Sequence, residues 1–373
     1  MNRDQEIIRV PRNVPIRWIL RTAGRFLVKV FFDLEIIGKK NFPADGPLII
    51  VGNHSAIMEA VLLIVYSPWQ IEMLGAADIP HEKISQIFSD LYGFIPVNRG
   101  HIDRPALRSA LSVLDQRGVI GIFPEGGIWE PGLMRAQTGV AWLSYRSNTP
   151  VLPVGFSGTM ASLGRALRLK KPKLVMNIGK LIQPLELNTG MPRKMVFEYF
   201  SERIMSKVRN LILQDDPSLK ENIQNERFEL TIVVTDDKDN IQQHPSEIKI
   251  LHAKSIAKLL HRPTILKIFR SNLQLPIDPL ENLDANENPC MLKIAVDSIV
   301  GYLENENPYL LTYRFGPKTA ENMFLGLKEL QSLLLWACHQ NFRVKIAPIR
   351  KFYSNLEKRE ITQYKQGKFE GWM

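Results

Sequence analysis

The sequence predicts an α/β fold: a mixed, largely parallel central sheet flanked by helices, with an amphipathic helix before it and a second, α+β domain after it. Three observations carry this expectation. From residue 47 onward, short apolar β-branched runs alternate with helical stretches, which is the pattern of an α/β layer. Glycines, histidines and charged residues gather where those runs end and helices begin, the edge at which such folds build their sites. Around Gln214–Asn222 the pattern turns polar and reads as a linker, and a different order of elements follows. A chain of 373 residues, 45% hydrophobic and 23% charged, has the length for about two domains with sizeable cores. The divisions expected are an N-terminal segment 1–45, a domain 46–214, a linker 215–227 and a domain 228–373.

In chain order, Pro15 can open a helix that carries Arg17, Arg21, Arg25 and Lys29 at a spacing of four. Trp18, Ile19, Leu20, Phe26, Leu27 and Val30 lie between them. A basic stripe on a broad apolar body suits a membrane interface, with Arg17, Trp18, Arg21, Arg25 and Lys29 expected at the headgroups. The alternative is a helix packed on its own domain with a solvated basic face. Met1–Glu6 is polar and leads into no apolar core, so no secretory signal is expected. Nor is a spanning helix, which needs about 18 residues of uncharged run.

Strands are expected at 47–52, 71–75, 94–97, 118–123, 150–155 and 174–178, and helices at 56–66, 81–91, 104–117, 136–146 and 192–213. The first strand, Leu48-Ile49-Ile50-Val51, runs into Gly52-Asn53-His54-Ser55-Ala56-Ile57-Met58-Glu59. A histidine at a strand-to-helix junction, with a carboxylate five positions on, is a candidate general base with its orienting partner. On a regular helix five residues turn about 140°, so His54 and Glu59 meet only if His54 precedes the first turn. The bland reading is a loop histidine and a glutamate favoured by the helix dipole.

Three later junctions resemble this one. In Gly93-Phe94-Ile95-Pro96-Val97-Asn98-Arg99-Gly100 a strand ends in an arginine, with Arg104 beyond it; both can hold phosphate, or simply face solvent. In Val119-Ile120-Gly121-Ile122-Phe123-Pro124-Glu125-Gly126-Gly127 the glycines permit close backbone approach, and Glu125 can accept from a polyol or orient an arginine. In Pro150-Val151-Leu152-Pro153-Val154-Gly155 two prolines bracket an apolar strand. Leu107, Leu111, Leu114 and Trp142 read as core. The run Arg165, Arg168, Lys170, Lys171 and Lys173 reads as a surface for anionic headgroups, coenzyme A phosphates or an acidic carrier protein, or as a solvated loop.

Taken in order, Asn-His-x4-acid, Gly-x-Ile-Pro-Val-Asn-Arg, Phe-Pro-Glu-Gly and Val-Leu-Pro-Val-Gly resemble the four blocks of the glycerolipid acyltransferase family. The resemblance spans roughly residues 15–210. It implies an αβ fold that sits on the membrane and transfers a fatty acyl chain from a thioester, acyl-CoA or acyl carrier protein, to a glycerol hydroxyl in phospholipid biosynthesis. The default acceptor is the sn-2 hydroxyl of 1-acylglycerol-3-phosphate. Glycerol 3-phosphate, another lysolipid or a hydroxylated lipid is the alternative, and a non-catalytic lipid-binding protein the rival outside the enzymes. Carried over by position, His54 is the general base and Glu59 its orienting acid. Asn53, Arg99, Arg104, Glu125, Gly126 and Arg135 bind substrate. No metal and no cofactor beyond the acyl donor are implied, and the expected location is peripheral, on the cytoplasmic face of a membrane. Two departures stand out: the acid is Glu59 where the family has aspartate, and Gly127-Ile128-Trp129-Glu130 replaces the usual Thr-Arg-Ser.

The charge agrees with an anionic partner for the first half. Residues 1–214 hold 27 Lys and Arg against 17 Asp and Glu, whereas 215–373 hold 21 of each, for a net charge of +10. Nucleic acid is disfavoured, since there is no zinc-finger spacing, RNP-like aromatic strand or basic tail. Cys290 and Cys338 make neither a disulfide framework nor a metal spacing, which fits a reducing cytoplasm. In the second half the expectation is strands at 228–234, 309–315 and 342–348 with helices at 247–261, 290–304 and 318–339. His244-Pro245 and Cys338-His339 have no catalytic or metal spacing, and no motif there reports a role.

Overall fold

A computed structural model describes residues 9–12, 14–77, 90–98, 102–126, 136–187, 190–216, 219, 223–262, 265–266, 268–270, 280, 282–283, 287–354 and 358–364. The first domain contains α1 (Val14–Phe31), β1 (Asp33–Ile37), β2 (Leu48–Gly52), α2 (Met58–Tyr66), β3 (Ile71–Ala76), β4 (Ile95–Val97) and α3 (Arg104–Asp115). It continues with β5 (Val119–Ile122), α4 (Gly139–Ser147), β6 (Val151–Ser157), α5 (Ser162–Leu167), β7 (Lys173–Ile178) and α6 (Arg193–Arg209). The strands form one seven-stranded sheet in the order β1-β7-β6-β2-β5-β3-β4. Neighbours are parallel except β6 and β7, so the sheet is mixed and largely parallel.

The alternation along β2 explains its central place. Leu48 and Ile50 join a core with Leu62 and Leu63 of α2 and Val28 of α1, while Ile49 and Val51 join a second core with Ala110 of α3, Val140 of α4 and Ile204 of α6. All five β2 residues are buried, as a strand covered on both faces requires. Leu107, Leu111, Leu114 and Trp142 pack into the second core, as read from the sequence.

All six expected strands belong to this sheet. Strand β1 escaped the reading because Asp33-Leu34-Glu35-Ile36-Ile37 is an edge strand with an alternating, half-exposed pattern directly after a helix. Helix α5 lies in what read as a basic loop, and most of the helix expected at 81–91 falls outside the described residues. Among the described residues no helix is long and apolar enough to cross a membrane.

Tyr92, fully buried, donates its hydroxyl to the Ile71 carbonyl at 2.9 Å and lies under the Arg17 guanidinium. Burial pushes its phenol pKa up, a shift that Arg17 partly offsets. A raised folded-state pKa gives stability that is complete below the unfolded value, about 10, and is lost as pH rises through the folded one. Urea unfolding followed against pH is therefore expected to show stability falling above about pH 10, with a shallower fall in Tyr92→Phe.

The second domain comprises β8 (Ile223–Thr235), α7 (Ala253–Leu260), α8 (Pro289–Asn305), α9 (Leu310–Phe315), α10 (Pro317–His339), β9 (Arg343–Ser354) and β10 (Arg359–Tyr364). Its sheet is antiparallel in the order β10-β9-β8, so β8 begins inside the stretch read as linker. The segment 309–315 is helix, not strand: Leu310 and Leu311 are both buried, which adjacent positions of a strand facing one core cannot achieve. Helix α7 starts only at Ala253, and polar β10 gave no hydrophobic period to read. Cys290 and Cys338, whose spacing suggested no disulfide framework, form a disulfide with Cα atoms 5.2 Å apart, because antiparallel α8 and α10 bring the start of one beside the end of the other.

Candidate active site

Strands β2 and β5 are adjacent and parallel, yet the chain leaves them toward opposite faces. From β2 it enters α2 over one core, and from β5 the next described helix, α4, lies over the other. This is a topological switch point, where open α/β sheets form their crevice. His54 follows β2 and Phe123–Gly126 follows β5, so two of the sequence blocks meet there.

Gly52 makes the approach possible, since a Cβ on it would lie 2.8 Å from the Phe156 ring and 3.1 Å from that of Phe123. Phe123 in turn stacks on the His54 imidazole, with centroids 4.2 Å apart and planes 12° apart. The His54 backbone N–H donates to Glu125 Oε1 at 2.8 Å, fixing the loop from the neighbouring strand. Glu125, buried, thus holds the loop that carries His54, a role different from the polyol contact read from the sequence. Asn53 departs further. Its amide donates to the Phe156 carbonyl at 3.0 Å and accepts from the Phe156 N–H at 2.8 Å, and the residue is 1% exposed. With both ends occupied in the core, it clamps β2 to β6 and is not a substrate ligand.

His54 precedes the first turn of α2, which allows the contact that five helical residues would forbid. Its Nδ1 lies 3.5 Å from Glu59 Oε2, buried and without a hydrogen-bond partner among the described residues. That is half an ångström too long for a good hydrogen bond. Glu59 reaches toward the imidazole from the first turn of α2. It curls back over the start of α2, where Oε2 accepts from Ala56 N–H at 2.8 Å and Oε1 from Ser55 N–H at 3.2 Å. Two hydroxyls complete Oε1: Ser55 Oγ at 2.7 Å and Thr159 Oγ1 at 2.5 Å. Oε1 is thereby engaged by donors, and Oε2 faces the imidazole.

Thr159 and Phe123 had no role in the sequence reading. Thr159 is one hundred positions from Glu59, and the signal for it was slight: a hydroxyl just after Gly158 at a strand end. Gly158 takes φ 75°, and a Cβ there would strike the Lys173 carbonyl at 2.2 Å, so only glycine turns the chain toward Glu59 here. Thr159→Val removes a buried hydrogen bond to a carboxylate, worth about 1.5–3 kcal/mol. It is expected to lower kcat by roughly 10-fold with KM little changed, and Thr159→Ser to restore it; steady-state kinetics of the two variants checks this.

Of the remaining candidates, Gly126 follows β5 at φ 75°, its N–H bonded to the Phe123 carbonyl at 3.2 Å, and Arg104 is exposed at the start of α3, on the same sheet edge as His54. Arg99 and Arg135 lie outside the described residues. On α1 the expected orientation is inverted. Arg17 is fully buried and paired with Glu72, Arg21 donates to the Ser67 carbonyl, and Arg25 donates to that of Val65 at 2.9 Å. Carbonyls at the C-terminal end of α2 attract these cations, a favourable arrangement at a helix C-terminus. Trp18, Ile19, Phe26, Leu27 and Val30 face outward instead, with Lys29 beside them. A headgroup role for Arg17 is thereby overturned.

A histidine backed by a carboxylate, at a strand end where the adjacent Ser55 hydroxyl is already tied to that carboxylate, has the arrangement that a general base for an external hydroxyl or water requires. A family model described as Acyltransferase matches residues 33–157. The chain is 23% identical over 191 residues to 1-acyl-sn-glycerol-3-phosphate acyltransferase of Bacillus subtilis, covering 51% of this chain and 93% of that protein. It is 26% identical over 189 residues to the protein of the same name from Borreliella burgdorferi, covering 50% and 72%. Among solved structures, the lysophosphatidate acyltransferase PlsC from Thermotoga maritima aligns with a TM-score of 0.40 at 20% identity, over 55% of this chain and 84% of that one. Residues 33–157 thus carry an acyltransferase domain similar to 1-acyl-sn-glycerol-3-phosphate acyltransferases, and the chain is an acyltransferase.

Proposed function

We propose that this protein moves a fatty acyl chain from acyl-CoA or acyl carrier protein to the sn-2 hydroxyl of 1-acylglycerol-3-phosphate, in phospholipid biosynthesis at the cytoplasmic face of a membrane. The observation that carries the mechanism is His54 Nδ1 turned toward Glu59 Oε2 at the switch-point crevice. Glu59 favours the tautomer with the proton on Nδ1, leaving Nε2 to take the proton of the acceptor hydroxyl. The oxygen attacks the thioester carbonyl, the tetrahedral intermediate collapses with loss of the thiolate, and the thiolate takes the proton back from His54. No acyl-enzyme intervenes, because Ser55 spends its hydroxyl proton on Glu59. Arg99, Arg104 and Arg135 are the cations proposed for the acceptor phosphate.

The outward apolar face of α1 supports contact with the bilayer, Trp18 and Lys29 at its interface, with Arg21 and Arg25 anchoring the helix to α2. The domain at 228–373 is proposed as an accessory unit beside the catalytic one. A second acceptor is favoured by one sequence feature: Gly127-Ile128-Trp129-Glu130 lacks the arginine of the family's third block and adds an aromatic ring. Purified protein incubated with acyl-CoA or acyl carrier protein and a panel of lysolipids and glycerol 3-phosphate, read by mass spectrometry, tests both readings. Esterified lysophosphatidate is expected. Product with a different acceptor alone would move the assignment to that acceptor, and binding of lipid without any product would favour a non-catalytic role.

A further inference from the structure

Helix α5 ends at Leu167 and runs on into Arg168-Leu169-Lys170-Lys171, and Leu167 and Leu169 are 76% and 80% exposed. Single exposed leucines are ordinary, but two within three residues, bracketed by cations, are not. The backbone adds a second observation. Leu169 closes the helix, its N–H bonded to the Ala166 carbonyl at 2.8 Å and that of Lys170 to Arg165 at 3.1 Å, and it does so at φ 55°. Glycine or asparagine usually fills such a left-handed cap, and a bulky leucine there is an outlier. Lys171, at φ 43°, repeats the pattern. Arg168, Lys170 and Lys171 make no ion pair among the described residues, whereas Lys173 is paired with Glu35 at 3.1 Å.

The topology places this segment. Asp33 N–H bonds to the Pro172 carbonyl at 3.1 Å, and Ala166 shares a core with Val28 and Phe32. The end of α1 and the end of α5 therefore adjoin on one face of the sheet. Because β7 runs antiparallel to β6 and β6 parallel to β2, both lie at the edge of the sheet that carries His54. We infer that Leu167–Lys171 is a second bilayer contact, with the leucines in the acyl boundary and the cations at anionic headgroups. Together with the outward face of α1 it would set the crevice of His54 toward the lipid surface. The inference rests on the membrane part of the function proposed above and adds a named element to it. An acidic carrier protein would use the cations but has no need of two extended leucines, so the bilayer is the better fit.

Two variants of the full chain test it by vesicle co-sedimentation without substrate: Leu167→Gln with Leu169→Gln, and Arg168→Gln with Lys170→Gln and Lys171→Gln. The vesicles are phosphatidylcholine alone, or with about one-third phosphatidylglycerol. The charge variant is expected to lose on the order of 100-fold in partition to anionic vesicles and little to neutral ones. The leucine variant is expected to lose about 10-fold on both. Unchanged circular dichroism shows that these surface changes leave the fold intact. Unaltered partition of both variants overturns the inference, as does failure of the parent protein to bind vesicles. Unaltered partition with a raised KM for the carrier-bound donor also overturns it, in favour of carrier docking. Since the readout is binding, an inactive protein whose partition needs these residues refutes acyl transfer alone, and an active one whose partition ignores them refutes this contact alone.

Discussion

His54→Ala is expected to lower kcat by roughly three orders of magnitude while leaving the protein folded. General base catalysis contributes about 10²–10⁴ in rate. The fold survives because the ring is partly exposed and contributes one stacked contact with Phe123, worth about 1 kcal/mol. The loop itself is held by groups the substitution leaves in place: the backbone N–H to Glu125 and the Asn53 clamp on Phe156. Esterification rates of parent and variant at matched protein, with a melting curve for each, measure both halves. A variant with lost activity and an unchanged melt is the expected pair.

Glu72→Ala is expected to give the largest loss of stability, about 3–5 kcal/mol, through a charge left alone in the interior. Glu72 is 1% exposed and Arg17 not at all. The guanidinium donates to Oε1 at 2.5 Å and Oε2 at 2.8 Å, its Nε reaches the Tyr92 carbonyl at 2.8 Å, and Arg12 pairs with Oε2 from outside. Removing the carboxylate leaves the desolvated Arg17 without its counter-charge, whereas replacing the pair with leucines removes both charges together. The double variant Arg17→Leu, Glu72→Leu is therefore expected to recover much of the loss. Urea unfolding gives the energies, and proteolysis within α1 reports whether the helix has come away.

This pair also marks the boundary of what the sequence could reveal. A stripe of cations on a helix ordinarily faces water, and the apolar side faces the core. Nothing local to α1 announces that Glu72, 55 positions on, and the carbonyls of Val65 and Ser67 would draw the stripe inward. The central strands, by contrast, were legible because burial on both faces leaves continuous apolar runs such as Leu48–Val51. Edge strands β1 and β10 carry no such run and went unread. In the site, His54 and Glu59 were legible since strand end, helix start and spacing all lie within eight residues. The roles of Asn53 and Glu125 were not, because each depends on a partner brought by another strand. Thr159 depends on a turn at Gly158 that only the packed sheet aims at Glu59.

Direct transfer from thioester to acceptor is tested most directly by single-turnover release of free thiol from an acyl-thioester, with lysophosphatidate present or withheld. Thiol release is expected only when acceptor is present, matched mole for mole by new glycerolipid ester and abolished in His54→Ala. A burst of thiol without acceptor, leaving an acyl group on the protein, would contradict direct transfer.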